Sequence, residues 1–215
     1  MGKPRITMLI PAYNEESSIK EVLINLKSFN VLVMDDHSSD KTVEIASQFS
    51  NCEVISNSHN LGYERNLLRG LLTISNRLAG KENYIITIDG DGELPSSAIP
   101  AFLERADDTS FIIGCRSNYN RLIEFLGGKY AKYNYGISDP FCGMRLFGSR
   151  FLSDFLNSNV QYNLGLGPIS FAFKNNFLIS EIQIKSEKRN GASRFAGGIK
   201  ANRLLTKALI SDYKQ

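Results

Sequence analysis

The feature that most constrains this chain is a series of short apolar runs, each halted abruptly by acidic or polar residues. Residues 6–10, 31–34, 54–55, 84–88 and 111–113 are dominated by Ile, Val, Leu and Met. They are too short for helices and continuous rather than alternating, which is how strands covered on both faces read. Longer helical patterns lie between them. Ser18 with Glu21 three residues on has the form of a capping box for a helix ending near Phe29, Asp40 can N-cap the next, and residues 61–78 form a long amphipathic stretch. After an irregular region reaching about Ser149, the pattern predicts two helices, a strand over residues 177–185 and a final helix from about Gly198. Alternating β and α elements imply an α/β fold with a central, mostly parallel sheet flanked by helices and joined by right-handed crossovers.

No linker, repeat or low-complexity tract interrupts the 215 residues, so a single domain over residues 1–215 is expected. The composition is globular, with 42% hydrophobic and 22% charged residues. No stretch approaches the roughly 18 apolar residues of a membrane span, and the N-terminus lacks the pattern of a signal peptide. The three cysteines, Cys52, Cys115 and Cys142, have neither disulfide-framework nor zinc spacing, so a reducing, cytoplasmic setting is expected. The net charge of +3 conceals an asymmetry, because residues 185–215 hold eight Lys/Arg against two acids. That basic end can meet phosphate or anionic lipid. No nucleic-acid module is present, a phosphate loop of the G-x-x-x-x-G-K-[ST] kind is lacking, and Gly165-x-Gly167 is followed by Pro168 rather than a dinucleotide fingerprint.

In open α/β sheets ligands bind beyond the carboxyl ends of the strands. Three polar motifs stand at those ends: residues 11–15, residues 35–40 and residues 89–93. Asp89-Gly-Asp91-Gly-Glu93 sets three acids at alternate positions after a buried strand, a concentration of hard oxygen ligands that suits Mg2+ or Mn2+. An EF-hand loop would need Gly at Leu94 and Glu at Pro100, so that reading fails. In Asp35-Asp36-His37-Ser38-Ser39-Asp40 a carboxylate can accept hydrogen bonds from the N–H edge of a nucleotide base, or the segment can be a polar turn with Asp40 as a cap.

Together with Pro11-Ala12-Tyr13-Asn14-Glu15, these motifs resemble the N-terminal signature of glycosyltransferase family 2, which has a GT-A fold. The resemblance implies a metal-dependent hexosyltransferase with a nucleotide-sugar-binding half over residues 1–115 and an acceptor-binding half over residues 116–215. It implies nucleotide contacts from Pro11, Tyr13, Glu15, Asp36 and Asp89, and a cation held against the donor diphosphate by Asp89 and Asp91, with Glu93 as a further ligand. Asn60-Leu61-Gly62 with Arg65, Asn66 and Gly70 also looks like this family, where a helix start faces phosphate.

Three later segments narrow the resemblance to enzymes that glycosylate dolichyl or other polyprenyl phosphates: Gly114-Cys115-Arg116, residues 139–147 beginning Asp139-Pro-Phe-Cys142-Gly143-Met144-Arg145, and Arg189-Asn-Gly191-Ala-Ser193-Arg194. By that likeness Arg116 and Arg145, counted with Asp89 and Asp91 as catalytic residues, gather with Arg189, Ser193 and Arg194 around the acceptor phosphate, while Lys188 is an alternative to Arg189. Guanidinium forks suit phosphate oxygens. No Glu-Asp base motif is evident in the second half, and His37 and His59 lie in the donor-side loops. A phosphate acceptor needs no base, because its second pKa of about 6 leaves it ionised at neutral pH.

These readings imply an inverting displacement on a polyprenyl phosphate at the cytoplasmic face of a membrane. Peripheral contact is expected through residues 198–214 or 119–135, or an anchor is supplied by a separate membrane protein. The competing expectations are a family 2 enzyme acting on a soluble saccharide and a silent module that binds nucleotide sugar.

Overall fold

The computed structural model describes residues 5–77, 83–117, 122–158 and 165–185. Seven strands form one sheet: β1 (Arg5–Ala12), β2 (Asn30–Asp35), β3 (Cys52–Ser56), β4 (Asn83–Thr87), β5 (Phe111–Arg116), β6 (Arg145–Gly148) and β7 (Ile179–Ile184). Their order is β3-β2-β1-β4-β6-β5-β7. All neighbouring pairs are parallel except those made by β6, which runs antiparallel to both β4 and β5. The helices are α1 (Ile19–Asn25), α2 (Thr42–Ala46), α3 (Tyr63–Arg77), α4 (Ile99–Leu103), α5 (Leu122–Tyr135), α6 (Ser149–Leu156) and α7 (Gly167–Lys174). The mostly parallel α/β sheet expected from the apolar runs is present.

The continuity of those runs has a direct cause. Met8, Leu9 and Ile10 are all fully buried because β1 is covered on both faces. On one face α3 lies across β1 and β2, and it comes so close that a Cβ on Gly70 would stand 2.5 Å from Leu9 Cδ1 and 2.8 Å from Met34 Cγ. A larger residue at position 70 would lift the helix off the sheet. On the other face Ile10 and Ile19 of α1 meet over Gly90.

Under β5 and β6 the core is aromatic. Phe111 stacks on Phe151 at 4.8 Å between ring centroids, and Phe151 meets Phe177 edge-on at 5.2 Å. Phe147, Phe155 and Phe171 complete the cluster that seats α6 and α7 on the sheet.

Several local expectations are corrected. The region before Ser149 is not irregular, since it contains α5 and the internal antiparallel strand β6. Ser18 does not form the capping box: its hydroxyl lies 2.8 Å from the Gly90 carbonyl and 3.1 Å from Glu15 Oε2, tying the start of α1 to the loop after β4. Asp40 is not the N-cap of α2 either: that position is Lys41, and Asp40 stands one residue earlier, with Oδ1 accepting from the Thr42 N–H at 3.0 Å while Oδ2 accepts from the Glu16 N–H at 3.1 Å. The helix from Gly198 lies outside the described residues.

Phe151 touches five other rings and is fully buried. Phe151→Ala is therefore expected to cost about 3–5 kcal/mol of stability, measured by urea denaturation, whereas Tyr133→Ala on the exposed side of α5 should stay within about 0.5 kcal/mol of the parent.

Candidate active site

The carboxyl ends of β1, β2 and β4 are laced together by short polar side chains. After β1 the backbone turns through Asn14 at a positive φ of 52°, a conformation asparagine tolerates. Its N–H donates to Ser38 Oγ at 2.8 Å and its Oδ1 accepts from the Ser39 N–H at 2.8 Å, so the loops after β1 and β2 hold each other. Glu15 is buried, with its N–H on Thr42 Oγ1. Pro11 lies within β1 opposite Met34, and Tyr13 is 36% exposed just past the strand.

Asp36 is the hub of a second network. Its Oδ1 accepts from Asn57 Nδ2 at 2.8 Å and the Leu61 N–H at 2.7 Å, and its Oδ2 accepts from the Gly62 N–H at 2.8 Å. Gly62 has φ +84°, which ordinary side chains resist. Asn57 also donates to Asn66, Arg69 donates to Asn57, and Asn66 donates to the Met34 carbonyl. The segment expected to cradle phosphate is thus fastened to β2 through Asp36, whose carboxylate meets this loop. Arg65 is solvent-exposed. His37, at φ 65°, contacts the Asn57 carbonyl, and His59 contacts Ser58.

Asp89 follows β4 and is half-buried. Its Oδ1 accepts from Tyr63 Oη at 2.8 Å. Burial, reinforced by the negative charge of Asp91, raises the Asp89 carboxyl to about 6 even though the Tyr63 hydrogen bond and the Arg116 charge oppose the shift. Burial and the neighbouring Asp89 charge also hold the Tyr63 phenol well above its ordinary range, so it remains a donor. Asp91 Oδ1 turns back onto the Glu93 N–H at 3.1 Å, and Gly92 supplies a φ of +77°.

Asp89, Asp91 and Glu93 do not form a three-acid cage among the described residues. Two carboxylates on one short loop, one of them raised by burial and by the other's charge, fit a Mg2+ or Mn2+ ion shared with substrate phosphates, the mode in which such ions take only one or two protein carboxylates.

The segment between α5 and β6 closes the site, and each of its residues has a fitted place. Asp139, fully buried, accepts from Arg116 Nε at 2.7 Å and Nη2 at 3.0 Å, a bidentate pair. Glu181 of β7 accepts the N–H groups of Ser138 and Asp139. Phe141 inserts where Gly127 and Gly165 leave room, and Cys142 packs against Gly114. Gly143 lies against the Asp89 carboxylate itself, and its carbonyl accepts from Thr87 Oγ1 at 2.6 Å. Arg145, opposite Thr87 in the β4–β6 register, is buried, and its Nε and Nη2 donate to the carbonyls of Cys142 and Pro140. Burial lowers its pKa from the ordinary guanidinium value, and it has no ion-pair partner among the described residues.

The fold thus brings Asp89, Asp91 and Arg145 together. It sets Arg116 one ion pair away, with its fork on Asp139, where burial works against its charge and the Asp139 hydrogen bonds more than restore it. Burial pushes the Cys142 thiol up to about 12, the state of an inert packed group. Arg189, Ser193 and Arg194, with Lys188, lie outside the described residues. Tyr63 is a site residue that the sequence did not flag, because nothing near it in the chain announces a partner 26 positions away.

The architecture is that of GT-A glycosyltransferases. Glucosyl-3-phosphoglycerate synthase from Mycobacterium tuberculosis in complex with phosphoglyceric acid superposes with a TM-score of 0.75 over 98% of this chain and 80% of that one, at 18% identity. The same enzyme in complex with Mn2+, UDP and glucosyl-3-phosphoglycerate gives 0.74 at 17% identity, with the same two coverages. The family model for glycosyl transferase family 2 matches residues 7–150, and the chain belongs to that family of glycosyltransferases. An uncharacterized protein of Methanocaldococcus jannaschii is 31% identical over 168 residues, covering 68% of this chain and 72% of the relative. Undecaprenyl-phosphate 4-deoxy-4-formamido-L-arabinose transferase of Salmonella paratyphi B is 29% identical over 123 residues, which are 51% of this chain and only 36% of that protein.

The raised Asp89 carboxyl makes the cation-free fold pH-sensitive. Below about pH 4 Asp89 is protonated in both folded and unfolded states, and as pH climbs through about 6 the folded state must carry a disfavoured charge. Asp89→Asn should therefore raise cation-free stability by about 1–2 kcal/mol at pH 7.5, with the gain vanishing near pH 4. Parallel thermal melts across that range check both sign and window.

Proposed function

We propose that this glycosyltransferase moves a hexose from a nucleotide sugar, GDP-mannose or UDP-glucose, to a polyprenyl or dolichyl phosphate with inversion at the anomeric carbon. The observation that carries the reading is Arg145, a buried cation beside Asp89 held only by backbone carbonyls among the described residues. A buried charge calls for a counter-charge, and an acceptor phosphate supplies one. The carboxylates on the acceptor side are otherwise engaged: Asp139 and Glu124 face Arg116, and Glu181 holds two backbone N–H groups. That supports an acceptor that arrives already ionised rather than an alcohol needing a base.

In the proposed step a phosphate oxygen of the acceptor attacks the anomeric carbon. The bond from that carbon to the donor diphosphate breaks, and the nucleoside diphosphate leaves with the electron pair. Pro11, Tyr13, Glu15 and Asp36 line the nucleotide side. Asp89 and Asp91 would hold a Mg2+ or Mn2+ ion, which supplies charge stabilisation for the leaving diphosphate. Arg145 orients the acceptor phosphate with Arg189, Ser193 and Arg194, and Arg116 acts by fixing the Asp139 segment. The single-domain reading, with donor and acceptor halves meeting near residue 115, belongs to the same proposal.

No helix among the described residues is long and apolar enough to cross a membrane. The proposed route to the acceptor is surface docking at the cytoplasmic face or a membrane partner. Phe125 and Leu126 of α5, 43% and 51% exposed with Lys129 over the Phe125 ring, suit interfacial contact. A second reading, a soluble acceptor, draws on the fold likeness to a synthase bound to phosphoglyceric acid.

Purified protein with Mn2+ and radiolabelled GDP-mannose or UDP-glucose should transfer label to the organic phase only when polyprenyl phosphate is present, and Asp91→Ala should reduce transfer at least 100-fold. Label entering only water-soluble acceptors would favour the second reading. Retained nucleotide-sugar binding with no transfer to either acceptor would indicate a silent module. In a separate flotation assay on vesicles containing anionic lipid, the double variant Phe125→Glu/Leu126→Glu should lose binding, and unchanged flotation would remove α5 as the contact.

A further inference from the structure

Asp89 is confined on both carboxylate oxygens by residues from outside its own strand. Tyr63, the first residue of α3, donates its hydroxyl to Oδ1 at 2.8 Å. Gly143, just before β6, approaches so closely that a Cβ there would stand 2.1 Å from Oδ2 and 2.6 Å from Cγ. Both supports are themselves fixed. The start of α3 is tied to β2 by the Asp36 bonds to the Leu61 and Gly62 N–H groups, and Gly143 is held through its carbonyl on Thr87.

We propose that Tyr63 is a positioning residue for Asp89: its hydroxyl, working against the Gly143 backbone, holds the carboxylate in one rotamer and presents a single defined edge to a divalent cation. The proposal rests on the reading of Asp89 and Asp91 as cation ligands. The terminal torsion of an aspartate is broad and nearly two-fold, so a free carboxylate must be ordered when an ion arrives. A phenol donor on one oxygen and a backbone wall behind the other order it beforehand, and such support distinguishes a tight site from a loose one. Phenylalanine at position 63 would fill the same space and lose only the donor.

The test is Mn2+ binding to the full chain, followed by electron paramagnetic resonance with UDP and, separately, GDP present, alongside thermal melts. Tyr63→Phe should weaken Mn2+ about tenfold, as expected for one hydrogen bond to a charged group, and broaden the bound-ion spectrum while the melting temperature stays within about 2 °C of the parent. Parent-like Mn2+ affinity in Tyr63→Phe overturns the proposal, and so does a joint loss of affinity and melting temperature, which would make Tyr63 a folding residue. Asp91→Ala separates the underlying reading: if the parent binds no Mn2+, or Asp91→Ala binds as well as the parent, the cation site fails and the positioning role with it.

Discussion

The antiparallel pairing of β6 with β4 is the constraint on which the site depends. It sets Arg145 opposite Thr87, two residues before Asp89, and its entry turn rests Gly143 on the Asp89 carboxylate. A parallel strand in that place would approach from the other end of the sheet, and the residue 139–145 segment would never reach the carboxyl edge of β4. One reversed strand therefore brings the acids after β4 and the buried Arg145 into one site.

The charges around that junction are arranged so that most are already matched. Arg116 and Asp139 neutralise each other with bidentate geometry, and Glu181 is held by backbone N–H groups. The groups left in electrostatic tension are Asp89, raised by burial and Asp91, and Arg145, lowered by burial. Under the proposed reading, a cation on Asp89 and an acceptor anion at Arg145 would relieve both.

How far the sequence reveals this depends on how local each interaction is. Strands covered on both faces leave continuous apolar runs, and the acids that follow them mark the edge where ligands gather, so the sheet and the position of Asp89 and Asp91 at its carboxyl edge are readable. β6 leaves little trace in the sequence because it is four residues long and opens with a charged residue that only tertiary hydrogen bonds can bury. Helix α5 is obscured by Gly127 and Gly128, which argue against helix, and Gly127 is there to admit Phe141. The capping box at Ser18 satisfied the local pattern and lost to a longer-range partner, the Gly90 carbonyl. Tyr63, Gly143 and the Asp36 network act across distances in the chain that no window of sequence spans.

The central claim is that the acceptor is an anion that serves as its own nucleophile opposite Arg145. Single-turnover transfer should be compared between a polyprenyl phosphate and the matching polyprenol, across pH and in Arg145→Lys. The account predicts transfer only to the phosphate, a rate that levels off above about pH 6 as the phosphate becomes dianionic, and a marked loss of acceptor affinity in Arg145→Lys. Equal transfer to the uncharged alcohol, or a rate still climbing well above neutrality, would contradict it and point to an undiscovered base.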